Sequence, residues 1–85
     1  MIGREMIKLS PNPAKDYLKV TWNKSPSPAK KLMVYDMSGK AVLQSAISGK
    51  SGSTELGINN LSPGMYLLKI FGDRWESAPE KFVKE

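Results

Sequence analysis

The chain has 85 residues, 40% hydrophobic and 25% charged, and its 13 basic and 8 acidic side chains give a formal net charge of +5. That length suits one domain with a thin core, burying roughly 60–65% of its unfolded surface, and no apolar run approaches the ~18–20 residues of a membrane-spanning helix. Cysteine and histidine are both absent. This removes disulfides, thiolate nucleophiles, the commonest general base and the commonest transition-metal ligands, so neither an enzyme nor a cofactor is expected. The basic residues are scattered, with only Lys30 and Lys31 adjacent, which reads as a solvated surface rather than a nucleic-acid footprint.

Residues 1–6 carry an acid and a base and lack the apolar region of a signal peptide; they read as linker, as residues added ahead of the domain or as the remnant of a segment next to a cleavage position. The stretch SPNPAKDYLKV follows, in which Pro11 and Pro13 hold Ser10 and Asn12 in extended or turn conformations and mark a boundary. Tyr17–Trp22 alternates with period two and places Leu18, Val20 and Trp22 on one face. A proline-rich loop over residues 23–29 leads to a strand over 31–36. Asp36-Met37-Ser38-Gly39 reads as a hairpin turn, the Asp side chain accepting from nearby N–H groups and Gly39 taking a positive φ. A strand over 40–45, a flexible Gly/Ser connection and a short strand over 54–58 come next. GKSGS lacks the spacing and flanking elements of a phosphate loop.

Pro63 and Gly64 suit positions i+1 and i+2 of a type II turn, which delivers the chain into Met65–Phe71, the most apolar strand. Gly72-Asp73 is expected as a two-residue hairpin loop, and the final strand covers Glu80–Glu85. About seven short strands without a helix predict an all-β, immunoglobulin-like β-sandwich over residues 7–85, with a small barrel as the alternative. The expected core is Leu18, Val20, Trp22, Leu32, Val34, Val42, Leu56, Leu61, Tyr66, Leu68 and Ile70.

Taken in order, Ser-Pro-Asn-Pro-Ala before Tyr-Leu-Lys-Val, Leu-Met-Val-Tyr-Asp-Met-Ser-Gly-Lys-Ala-Val, Leu-Ser-Pro-Gly-Met-Tyr-Leu-Leu-Lys-Ile and a terminal Lys-Phe-Val-Lys make a pattern. It resembles the type A C-terminal sorting domain of the type IX secretion system, from about Ile7 to Glu85. Glu85 after the terminal lysine departs mildly from the family pattern. The resemblance implies a non-catalytic label at the C-terminus of a larger cargo protein of a Bacteroidetes-type bacterium. It directs the cargo from the periplasm through the outer-membrane translocon to the cell surface or medium. The implied partners are translocon and shuttle components, the N-terminal cargo domain and a sortase-like peptidase that removes the label. Recognition is implied for Gly64, Tyr66, Lys81, Phe82, Val83 and Lys84, whereas Pro11, Asn12, Pro13, Asp36, Gly39 and Pro63 carry the family motif structurally.

Physically, a terminal strand at a sheet edge exposes unpaired N–H and C=O groups to a receptor strand, and Lys81 and Lys84 discourage indiscriminate pairing. The competing account has Phe82 and Val83 closing the sandwich. Tyr66 reads as a core aromatic with its hydroxyl satisfied at the rim. A calcium site would need Asn12, Asp16, Asp36 and Asp73 gathered together, and no spaced acidic loop is present. The alternative function is an immunoglobulin-like carbohydrate-binding or adhesion module using Tyr35, Trp22 and Trp75, although Trp22 falls on the inward face. Exposed sheet edges leave room for a homodimer.

Overall fold

Alternating apolar side chains need a second apolar layer to cover them, and the chain supplies it by folding into two antiparallel sheets. The structure, a computed structural model, describes residues 7–23, 25 and 27–85, so the expected linker at 1–6 lies outside the described residues. The strands are β1 (Ile7–Ser10), β2 (Tyr17–Trp22), β3 (Ala29–Asp36), β4 (Ala41–Gly49), β5 (Gly52–Gly57), β6 (Gly64–Gly72), β7 (Trp75–Glu76) and β8 (Glu80–Lys84). One sheet has the order β1-β2-β5; in the other, β4-β3-β6 is extended by β7 and β8, which share the remaining edge of β6. The β-sandwich expectation holds.

Between the sheets, Leu18 and Val20 of β2 meet Leu32, Val34, Leu68, Ile70 and Phe82 of the second sheet, all buried in one cluster. Each large side chain so buried stabilises by about 1.5–3 kcal/mol. Val42 and Leu61 are half-buried at its margin, while Ile7, Ala14, Ala29, Ile58 and Phe82 complete it. Trp22 is buried and donates Nε1–H to Gly49 O at 3.1 Å.

Three turn and strand readings are corrected. β1 and β7 were not distinguishable in the sequence: β1 has four residues, β7 has two, and each exists by pairing with a longer neighbour. The hairpin after β6 uses Asp73-Arg74 rather than Gly72-Asp73, because Gly72 pairs with Trp75 and Arg74 takes the positive φ of 62°. A Cβ on Gly72 would lie 2.1 Å from Trp75 Nε1, so the close approach of that ring is what requires glycine. The type II turn at Pro63-Gly64 is also absent. The hydrogen-bonded turn lies earlier, Leu61 N–H donating to Ile58 O at 3.0 Å, and Gly64 opens β6 at φ 152°, far from the ~80° of that turn type.

The Asp36 turn forms as expected. Asp36 Oδ1 accepts from Ser38 N–H at 2.9 Å, Lys40 N–H at 3.1 Å and Ser38 Oγ–H at 2.6 Å, and Gly39 has φ 92°.

Candidate recognition site

Residues from both ends of the chain and from its middle converge on the last strand. In the ladder of β6 and β8, Gly64 pairs with Lys84, Met65 with Val83, Tyr66 with Phe82 and Leu67 with Lys81. Residues directly opposite share a face, so this register sorts the expected recognition residues into two groups. Tyr66 and Phe82 point into the core, where their rings stack with centroids 5.7 Å apart. Phe82 is 0% exposed. The Tyr66 hydroxyl donates to Ser62 O at 2.6 Å and so ties β6 to the segment before it. Lys84 falls on the side of Phe82, only 8% exposed, and its Nζ donates to Glu85 O at 2.8 Å. Lys81 is exposed and Val83 half-buried on the outer face, beside Met65 and Leu67.

The other edge of β8 is closed by the Pro-Asn-Pro-Ala stretch. Ala14 N–H donates to Val83 O at 2.8 Å and Glu85 N–H donates to Ala14 O at 2.8 Å, making a parallel bridge between Ala14 and Lys84. Asn12 continues the edge with its side chain: Val83 N–H donates to Oδ1 at 2.9 Å, and Nδ2–H donates to Lys81 O at 3.4 Å. Both Ser10-Pro11 and Asn12-Pro13 are cis. The open terminal edge expected from the sequence is therefore corrected. A proline-flanked residue has few ladder hydrogen bonds of its own, which leaves the Asn12 amide free to mimic a neighbouring strand for β8.

The Asp36 turn lies at the same end of the sandwich, since Asp36 pairs with Tyr66 across β3 and β6. Hydrogen bonds from the Ser38 hydroxyl and the Lys40 N–H hold the Asp36 carboxyl below its ordinary pKa of 3.8. An open cleft runs between this turn and the Asn60–Ser62 segment, lined by Asp36, Lys40, Val42, Leu61 and Tyr66. Its one carboxylate already accepts three hydrogen bonds within the turn.

Other sequence candidates stay dispersed. Tyr35 pairs with Leu67 at one end of β6 and Trp75 with Gly72 at the other, while Trp22 is buried in the first sheet, so the three aromatics do not make one platform. Trp75 instead donates Nε1–H to Ser27 Oγ at 2.8 Å. Among the described residues no three acidic side chains gather in one place. Sequence reasoning missed Ala14, fully buried beneath the C-terminus, whose only mark in the sequence is its place directly after the second proline.

Comparison with the curated proteins gives no match. The family model described as a secretion system C-terminal sorting domain matches residues 8–85, which takes in β2 to β8 and all of β1 except Ile7. With the proline stretch, the Asp36 turn and the terminal strand meeting in one place, the chain belongs to the family of type IX secretion system C-terminal sorting domains.

Proposed function

We propose that residues 7–85 act as one folded export label, which carries an attached N-terminal cargo domain through the type IX outer-membrane translocon and is then removed by a sortase-like peptidase for surface anchoring. Family membership supplies the coarser statement: the domain is a type IX sorting signal that works with the type IX machinery and a cargo, toward the cell surface or medium. The family is non-catalytic, in keeping with a chain that lacks histidine and cysteine.

The observation that carries the proposal is the closure of β8 by Asn12 and Ala14. Because both edges of β8 are engaged, the machinery reads side chains on a folded surface rather than an unpaired strand edge. In this reading Lys81 and Val83 make direct contact. Gly64, Tyr66, Phe82 and Lys84 act by setting the position of β8, and Pro11, Asn12, Pro13, Asp36, Gly39 and Pro63 keep the surrounding turns in place.

The test is a fusion of residues 7–85 behind an exported fluorescent reporter in a type IX-competent bacterium. Fluorescence should reach the surface or medium, and cell-associated reporter should lose the mass of the domain. Reporter held in the periplasm with the domain intact would overturn the sorting role, and export without loss of mass would overturn the cleavage step alone.

A further inference from the structure

The two sheets present very different outer faces. On the β1-β2-β5 sheet, cross-strand pairing puts Lys8 with Thr21, Thr21 with Ser53, Ser10 with Lys19 and Lys19 with Glu55: a largely polar surface on which Tyr17, opposite Gly57 and 61% exposed, stands singly. On the other sheet, Met33 lies opposite Gln44 and Lys69, Tyr35 opposite Leu67, Leu67 opposite Lys81, Met65 opposite Val83, and Lys31 opposite Phe71. Met33, Tyr35, Leu67, Phe71 and Val83 are each half-buried, and Met65 is 41% exposed. Among the described residues no further strand lies over them. The Nζ atoms of Lys31 and Lys69 lie 5.6 Å and 5.5 Å from the Phe71 ring centroid. A contiguous apolar face confined to one side of a small domain marks an interaction surface.

We propose that this outer face, centred on Leu67, docks a protein surface whose apolar patch is rimmed with carboxylates. The charges select that partner. Lys31, Lys69 and Lys81 stand on the face against Glu76, which is already bonded to Lys69. Lys30 and Asp73 pair at the rim. A second copy of the domain would set lysine against lysine, which complementary association disfavours. Carboxylates on a partner would meet Lys31 and Lys81, while its apolar groups would cover Leu67, Met65 and Tyr35 without leaving a buried polar group unpaired. In its biological setting the proposal rests on the sorting role: the partner is the component of the export machinery that first holds the folded label.

The experiment compares reporter fusions of the whole chain. One variant reverses charge on the face (Lys31→Glu with Lys81→Glu), one removes apolar bulk from it (Met65→Thr with Leu67→Thr), and a control reverses charge on the polar sheet (Lys8→Glu with Lys19→Glu). Each face variant should lower export roughly tenfold while Tm stays within about 5 °C of the parent, and the control should be exported normally. Export of both face variants at the parent level would overturn the proposal and leave the sorting role standing. An equal loss in the control would also overturn it, by showing a general charge effect. Failure of the parent fusion to be exported would remove the sorting role and this proposal together. A photo-crosslinking side chain at position 35 that joins only a second copy or the fused reporter would show that the occupant is wrong.

Discussion

Asn12 and Val83 stand 71 positions apart in the chain and are joined by a 2.9 Å hydrogen bond from the Val83 N–H to the Asn12 side-chain oxygen. This contact makes the first and last thirds of the domain one structural unit: Asn12 closes the outer edge of β8, while β6 holds its inner edge. Edge strands left open invite pairing with other chains, and this closure protects the last strand from it.

Asn12→Ala should remove that closure at a cost of about 1 kcal/mol, the net worth of a typical hydrogen bond, lowering Tm by roughly 4–8 °C for a domain of this size. Hydrogen exchange at the Val83 amide is the sharper readout. It should speed up more than exchange at Leu68 in the centre of the sheet, and unchanged protection at Val83 would show that the closure does not form in solution.

Phe82→Ala and Lys81→Ala separate packing from contact. The first empties a fully buried site stacked on Tyr66 and should cost about 3–5 kcal/mol, a large share of a small domain's stability. The second alters an exposed position and should change stability by no more than about 0.5 kcal/mol. Thermal unfolding measured beside reporter export distinguishes them: lost export in Lys81→Ala at an unchanged Tm identifies a direct contact.

Asp36 should give acid sensitivity to the turn at Asp36–Gly39. Its carboxyl titrates below the ordinary 3.8 because the Ser38 hydroxyl and the Lys40 N–H bond the ionised form. The stabilisation is therefore present above the unfolded-state pKa and disappears as pH falls through the lower folded-state value. Asp36→Ala should be less stable than the parent at pH 7, with the difference shrinking as pH falls below 3.8. A difference that persists unchanged at pH 2 would show that the charged hydrogen bonds are not its source.

Gly72→Ala should force Trp75 out of place, since the new methyl would sit 2.1 Å from its indole nitrogen. Displacing the ring also breaks its bond to Ser27, and overpacking of this kind costs about 1–3 kcal/mol. In a Trp22→Phe background, the fluorescence of Trp75 should shift to longer wavelength as the indole meets water.

The inner strand of each sheet was legible because its signal is local. Tyr17–Trp22 alternates cleanly, Met65–Phe71 is a nearly continuous apolar run bounded by turn residues, and Asp36 to Gly39 holds the residues its turn needs, so those elements stand almost where the pattern puts them. The family was legible too, since its motifs recur in order along nearly the whole chain. Short partners were not: β1 and β7 have too few residues to show a period and owe their conformation to the strands they pair with.

Sequence alone thus determined the sandwich, most of its core and the membership of the sorting family, because alternation and turn chemistry depend on near neighbours. Only the tertiary structure decided that the terminal strand is closed rather than open, that Phe82 faces inward while Lys81 faces out, and that one sheet presents an apolar outer surface. Each of these depends on register between residues far apart in the chain, and a one-residue slip in register would move every side chain to the opposite face.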